Sequence, residues 1–156
     1  MFWKAVLGVA VLGVAVLLGC VGCCFNLAEG AGVPVKMRGE ELLMLLQTNY
    51  PHLEIGKSLF ITTGEYALFS LSEYLRIYKP LVNLPTCRFK ASLVVAGEIH
   101  EKLDSLAGVG IAMGSPGISP AWFVVLVTPE RKIYGLDPLT GNIWILYPPD
   151  ITMLII

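Results

Sequence analysis

The stretch TCRFKASLVVAGEIHEKLDSLA, Thr86–Ala107, decides the fold, because it has the periodicity of a long amphipathic helix. Thr86 is a suitable N-cap, so the sequence predicts a helix from Cys87 to about Ala107. The apolar positions with helical spacing are Val94, Val95, Ile99, Leu103 and Leu106. We expect this apolar stripe to pack on a β-sheet.

Four runs rich in β-branched and aromatic residues follow this helix. Turn residues at 129–131 and 138–141 separate the last three runs and predict hairpins between them. The runs are Val109–Met113, Trp122–Thr128, Lys132–Leu136 and Asn142–Tyr147. The last residues, Ile151–Ile156 (ITMLII), are predicted to form either an added edge strand or a hydrophobic contact element.

Two further helices and one strand are predicted before Thr86. A helix is predicted over Glu40–Gln47. Glu40 and Glu41 would lie in its first turn, where the helix dipole stabilises negative charge. Ser58–Thr63 (SLFITT) has the composition of a strand, and Ser72–Tyr78 predicts a short helix closed by Pro80. Helices followed by an antiparallel meander indicate an α+β fold, with helices packed on an antiparallel sheet.

Composition narrows the class of protein. The 156 residues are 55% hydrophobic and 15% charged, with a net charge of −1, so the chain is unusually apolar beside ordinary soluble domains. Lysine and arginine are scattered singly, which excludes the basic footprint of a nucleic-acid binder. The glycine-rich stretch at 108–117 lacks the Lys-Ser/Thr of a phosphate loop. The sequence therefore predicts no nucleic-acid partner, no cofactor and no metal site.

The N-terminal segment predicts attachment to a membrane. No charge occurs from Ala5 to Ala28, and these 24 residues would form a helix of about 36 Å, which exceeds the hydrocarbon core of about 30 Å. A secretory signal is the alternative, since Lys4 precedes an apolar stretch and small residues end it. Leu17-Leu18-Gly19-Cys20 resembles the lipobox of bacterial lipoproteins, which implies that Cys20 is lipidated and becomes the new N-terminus.

Three interpretations remain open for Cys20, Cys23 and Cys24. Lipidation of Cys20 and acylation of Cys23 or Cys24 at a membrane surface fit their position after the apolar run. Small apolar residues within a membrane span are the second interpretation. The CxxC spacing of Cys20 and Cys23 also occurs in zinc and redox sites, but neither a second CxxC nor a nearby histidine completes a tetrahedral site.

These observations divide the chain into three parts. Residues 1–28 are predicted to be a membrane anchor or lipoprotein signal, 29–35 a linker, and 36–156 a single α+β domain. The lipobox-like motif favours a membrane-anchored protein whose body lies outside the cytoplasm. The expected partners are membrane lipid and a protein at the membrane or envelope.

Cys87 is the candidate nucleophile, because free N–H groups at a helix start favour a thiolate. Papain-like enzymes use this placement, with a histidine base on the following sheet and an acid or amide on the next strand. Asp137 follows a predicted strand and is the candidate acid. The alternatives are a buried apolar Cys87 at a helix start and an Asp137 that only shapes a turn.

The order of Thr86-Cys87-Arg88, Pro120-Ala121-Trp122 and Asp137-Pro138 resembles a papain-like family. The family occurs in phage and bacterial proteins and in the C-terminal domain of a fungal agglutinin. Its motifs are a DCDDFA-like helix start, a His-Ala-Trp-like strand start and a Glu-Pro-Gln-Thr-like strand end. The resemblance spans about residues 78–147 and implies a papain-like core with Cys87 as nucleophile and Asp137 as acid.

The sequence departs from that family at the general base. Pro120 stands where the histidine is expected, and proline accepts no proton. His100 lies 13 residues after Cys87 on the predicted helix, about 20 Å away and beyond hydrogen-bond reach. His52, in a loop after Pro51, is the remaining candidate base. The acids that flank the family's cysteine are also missing, which argues against a metal there.

Three classes of function follow from these features. The first is a membrane-anchored binding or interaction module on a papain-like scaffold that has lost catalysis, with Trp122 as a weak candidate for ligand contact. The second is an active thiol hydrolase or acyl transferase that uses Cys87, Asp137 and His52. The third is a structural component of a membrane or envelope assembly, using the N-terminal segment and the ITMLII tail.

Overall fold

The structure of the protein is a computed structural model, and it describes residues 32–51, 53, 63–115, 121–147 and 151–156. Gly32–Ile156 forms one compact unit. The described helices are α1 (Gly39–Asn49), α2 (Leu71–Tyr78) and α3 (Arg88–Lys102). The described strands are β1 (Val35–Arg38), β2 (Glu65–Leu68), β3 (Val109–Gly114), β4 (Ala121–Val127), β5 (Ile133–Leu136), β6 (Ile143–Ile145) and β7 (Ile151–Ile155).

Five of these strands form one antiparallel sheet in the order β6-β5-β4-β3-β7. The central β3 and β4 run side by side from Val109↔Leu126 to Gly114↔Ala121. β7 pairs with β3 as an edge strand of this sheet, which confirms one of the two predictions made for the ITMLII tail. β1 and β2 form a separate antiparallel pair.

The five-stranded sheet buries both of its faces, and this explains the high apolar content of its strands. On one face, β4 residues Phe123 and Val125 pack with α1 residues Leu42 and Leu46 in one apolar cluster. On the other face, Val124 and Leu126 of β4 pack with residues of α2 and α3 in a second apolar cluster. α3 thus packs on the sheet as its apolar stripe predicts, and the α+β class is confirmed.

α3 begins one residue later than predicted and ends about five residues earlier. Cys87, not Thr86, is the N-cap, with extended φ and ψ of −76° and 117°. The helix ends at Lys102, well before Ala107, because Asp104 Oδ1 accepts the Leu106 N–H at 2.8 Å and stabilises a turn instead. Val94, counted in the apolar stripe, is 40% exposed.

Two strands were not expected from the sequence. β1 includes Val35, which the prediction placed in the linker, and β2 begins at Glu65, where the predicted strand was thought to end. Residues 58–62 of that predicted strand lie outside the described residues, and Thr63 lies in a bend. Within the described ranges, no helix is both long and apolar enough for a membrane span. The predicted anchor, residues 1–28, lies outside them.

Candidate functional site

Cys87 lies at the start of α3 and is exposed, so the interpretation as a buried apolar residue is wrong. Its carbonyl oxygen accepts the Ala91 N–H at 2.9 Å, which begins the helical hydrogen bonding. Its side chain makes no capping hydrogen bond. A thiol in this position is open to reagents in solution.

Asp137 directly follows β5 and closes the turn into β6. Its Oδ1 accepts the Leu139 N–H at 2.9 Å, and its carbonyl oxygen accepts the Gly141 N–H at 2.9 Å. Gly141 has a φ of +75°, a conformation that favours glycine. The turn predicted from Asp-Pro and the later glycine is therefore present, and the carboxylate of Asp137 stabilises it.

Arg88, the residue after Cys87, joins the helix start to this turn. Its Nη2 lies 3.2 Å from Asp137 Oδ2, while the Asp137 side chain is only 16% exposed. Burial acts to raise the pKa of the Asp137 carboxyl. The Leu139 N–H, the Arg88 guanidinium and the Thr140 hydroxyl oppose this, and together they hold the pKa below its usual value. Asp137 is consequently an ionised carboxylate with both oxygens engaged.

Tyr78, at the end of α2, borders the same turn. Its hydroxyl donates to the Pro138 carbonyl oxygen at 3.2 Å. Burial, and then the negative charge of Asp137, raise the pKa of the Tyr78 hydroxyl, so it remains a donor at neutral pH. α2, α3 and the β5–β6 turn therefore meet at one place.

An aromatic pair joins the start of α3 to the start of β4. Phe89 and Trp122 meet edge to face, with ring centroids 4.7 Å apart and an interplanar angle of 61°. Phe89 is 36% exposed, and Trp122, at the start of β4, is partly buried. The pair presents part of its apolar surface to solvent, and Phe89 directly follows Arg88 of the ion pair in the chain.

The predicted site residues thus fall into three groups. The structure brings Cys87, Asp137 and Trp122 to one end of α3 through the contacts of Arg88 and Phe89. His100 is in the last turn of α3, where Nε2 lies 3.1 Å from the Val109 carbonyl oxygen. The remaining predicted residues lie outside the described ranges: Cys20, Cys23, Cys24, His52 and Pro120.

Arg88 is the site residue that sequence reasoning undervalued. The sequence predicts no role for Arg88, whereas in the structure it binds the candidate acid. The sequence feature that could have indicated this role is the position of Arg88 directly after Cys87, at the start of a helix. From there its long cationic side chain reaches the end of β5. Tyr78 carried no sequence signal beyond helix termination.

Among the described residues, no hydrogen bond joins the Cys87 thiol to a proton acceptor. Asp137 accepts from Arg88 and from a backbone N–H, and the one described histidine is at the opposite end of α3. Throughout the described ranges, no group of three or more histidine, cysteine or acidic side chains is arranged to hold a metal ion. The geometry provides an exposed thiol, an ion pair and an aromatic edge.

Comparison with known proteins gives similarity in fold. No protein-family model matches the chain, and no curated protein sequence matches it. A structure described as the PSL1a-E64 complex superimposes with a TM-score of 0.58 at 13% identity, over 78% of this chain and 50% of that one. Polyporus squamosus lectin, bound to the human-type influenza-binding epitope Neu5Aca2-6Galb1-4GlcNAc, gives 0.60 at 12% identity, over 78% and 49%.

These two similarities show a shared fold and no more, because the sequence identities are so low. The chain spans about half the length of each of these structures.

Proposed function

We propose that this protein is a non-catalytic binding module on a papain-like scaffold, attached to a membrane by its N-terminal segment. The observation that carries the proposal is the ion pair, 3.2 Å long, between Asp137 and Arg88, the residue that follows Cys87 in the chain. In a thiol triad, the acid accepts a hydrogen bond from the base and so orients that base. Here the acid accepts from a guanidinium, which stays protonated and cannot take a proton from a thiol.

The ion pair also explains how a scaffold of this kind is stable without a triad histidine. A buried carboxylate without a partner is costly, and Arg88 and the Leu139 N–H both satisfy Asp137. The site therefore has a complete set of hydrogen bonds around its acid. This completeness supports a binding surface, since among the described residues no group beside the acid is left poised to move a proton.

The attachment to a membrane rests on the sequence. The uncharged segment from Ala5 to Ala28 and the lipobox-like Leu17–Cys20 support it, with lipid and an envelope protein as partners. The intact mass of the protein extracted from its native membranes tests this part. A mass for residues 20–156 plus lipid supports a lipoprotein with an extracytoplasmic body. An unmodified full-length mass favours a membrane span and the structural-component alternative.

The loss of catalysis is tested by modification of Cys87 in the full-length protein. Iodoacetamide labelling is followed from pH 5 to 9 by peptide mapping, so that Cys87 is separated from Cys20, Cys23 and Cys24. We expect the labelled and the unlabelled protein to show the same background hydrolysis of ester and peptide substrates. Rapid labelling at pH 5 to 6, together with ester or peptide hydrolysis that Cys87→Ala abolishes, would establish the active thiol enzyme instead.

A carbohydrate is the second candidate, as the ligand of the binding surface. Two observations favour it: one neighbour in fold is a lectin with a bound glycan, and the Phe89–Trp122 pair is partly exposed beside a cation. Aromatic faces and charged side chains supply the mixed apolar and polar contacts of ligand sites. Screening of the full-length protein on a glycan array tests this candidate, with Phe89→Ala as the site variant.

Loss of array binding in Phe89→Ala, with binding kept in the distant exposed variant Met44→Ala, would support the carbohydrate candidate. Binding that is unchanged in Phe89→Ala would place any glycan site elsewhere. No binding to any glycan would remove the candidate, and the search for a protein ligand would then take precedence.

A further inference from the structure

β6 lies at one edge of the five-stranded sheet, and its outer side is open. Among the described residues, β6 pairs only with β5. Ile143 and Ile145 are 37% and 43% exposed, although both are large apolar side chains in a strand. An edge strand with exposed isoleucines is a common template for pairing with another strand.

The hydrogen bonds of β6 show which backbone groups face that open side. Leu146 donates its N–H to the Ile133 carbonyl oxygen, and Asn142 accepts the Asp137 N–H, at 3.0 and 2.9 Å. Bonding alternates along an antiparallel pair, so the even-numbered residues of this segment bond to β5. The N–H and C=O groups of Ile143 and Ile145 therefore point outwards.

The segment lacks the features that usually protect an edge. No charged residue occurs between Asp137 and Asp150, and β6 contains no proline. Lysines, prolines and inward-pointing charges are the common protection against pairing. Two copies of this segment can thus approach without repulsion between like charges. Because this edge carries no charge, it has no electrostatic preference for a charged partner over a second copy of this chain.

We propose that β6 pairs antiparallel with β6 of a second copy of this chain, about a two-fold axis at Trp144. In this register Ile143 lies opposite Ile145 of the second copy, and Ile145 opposite its Ile143. Both outward-facing residues then meet outward-facing residues, and each pair exchanges its N–H···O bonds. Their side chains lie on one face and form a continuous isoleucine ladder across the axis. The contact is isologous and closes as a dimer.

This inference does not depend on the proposed function, because it rests only on the pairing and the exposure of β6. Amide hydrogen exchange of the full-length protein in mild detergent tests it, at a dilute and at an about hundredfold higher concentration. We expect exchange at Ile143 and Ile145 to slow by about tenfold or more at the higher concentration. The Trp144 amide, directed towards β5, is the internal control and should exchange slowly at both.

Ile145→Pro provides the matching variant. The Ile145 N–H points outwards, so proline removes no bond of the β5–β6 ladder but blocks pairing at the edge. We expect this variant to remain monomeric in sedimentation while its circular dichroism is unchanged. Ile145→Thr keeps the N–H and the β-branched shape, and should still associate.

Equally fast exchange of Ile143 and Ile145 at both concentrations would overturn the proposal. Association through the N-terminal segment, or a different protein as the natural occupant of this edge, would give that result. If Ile145→Pro fails to fold, the exchange measurement on the unmodified chain decides alone.

Discussion

Asp137 is the residue whose ionisation links the site to the stability of the fold. Its pKa is lowered in the folded protein, so the folded state favours the ionised carboxylate. The stabilisation is complete above the unfolded-state pKa of about 3.9 and is lost as the pH falls through the lower folded-state pKa. Stability should therefore fall with acidification below about pH 4, and part of that loss belongs to Asp137.

Asp137→Asn isolates this contribution. Asparagine can still accept the Leu139 N–H but carries no charge for Arg88, which is half-exposed. We expect a loss of about 0.5–1 kcal/mol in the free energy of unfolding at pH 7, shrinking towards pH 3. Urea unfolding between pH 3 and 7 measures it. Glu101→Gln, which removes a charge that forms no ion pair with a described residue, is the control and should have little effect. An Asp137→Asn loss that is independent of pH would contradict the assignment.

Tyr74 is the residue that fixes α2 to the sheet. Its buried hydroxyl donates to the Val127 carbonyl oxygen at 3.0 Å and accepts the Phe69 N–H at 3.1 Å. Burial raises the pKa of this hydroxyl, so it remains protonated throughout the physiological range. Tyr74→Phe leaves a backbone donor and an acceptor without partners, and should cost about 1–3 kcal/mol.

Tyr134→Phe is the matched control for Tyr74→Phe. The Tyr134 hydroxyl makes no hydrogen bond among the described residues, so its removal should change the unfolding free energy by less than about 0.5 kcal/mol. Equal effects of the two substitutions in urea unfolding would mean that the Tyr74 hydrogen bonds contribute little.

At the scale of single elements, replacement of glycine by alanine is expected to have opposite effects on stability at two positions. A Cβ on Gly135 in β5 would lie 2.8 Å from the Trp144 indole Nε1, whereas a Cβ on Gly97 in α3 would meet nothing within 4 Å. Gly135→Ala should therefore destabilise the protein by about 1–3 kcal/mol through displacement of Trp144. Gly97→Ala should stabilise it by up to about 1 kcal/mol through helix propensity.

Thermal unfolding followed by circular dichroism compares these two variants directly. A lower melting temperature for Gly97→Ala would contradict the prediction, because it would mean that the added methyl group is not accommodated beside α3 in the folded protein. An unchanged melting temperature for Gly135→Ala would show that the Trp144 indole moves aside at little cost.

The elements that the sequence predicts well are those with one strong local cause. α3, β3 and β4 have clear periodicity, and turn residues separate the later strands. β1 and β2 were missed because they are short and are held by each other, from Val35↔Leu68 to Arg38↔Glu65. In the candidate site, chain order selected Cys87 and Asp137, whose roles stay predictions. The Arg88 contact depends on a distance across the fold, which no local pattern contains.

At the scale of the whole molecule, the five-stranded sheet lies between two apolar clusters and contributes residues to both. Strand residues alternate between the cluster with α1 and the cluster with α2 and α3. The site lies where the second cluster reaches the surface, at Tyr78 and Trp122. The rigidity of the sheet therefore holds Arg88 and Asp137 in place, although they come from elements far apart in the sequence.

β7 supplies the last prediction, because it completes the sheet from the far end of the chain. Ile151 and Leu154 are fully buried in the cluster with α1, and the Tyr66 hydroxyl donates to the Ile156 carbonyl oxygen at 3.3 Å. Leu154→Ala should destabilise the protein by about 2–5 kcal/mol, and removal of residues 151–156 should abolish cooperative unfolding. Met44→Ala, at a side chain that is 66% exposed, is the control and should be nearly neutral.

This expectation limits what deletion of the ITMLII tail can reveal about an assembly partner. The ITMLII residues were considered as a contact element for an assembly partner, yet their burial in β7 means that deletion disrupts the fold itself. Loss of assembly after deletion would therefore carry no information on a partner. Cooperative urea unfolding by the truncated chain, with the near-ultraviolet spectrum of the full protein, would contradict the prediction. The tail would then be dispensable for folding and available to a partner.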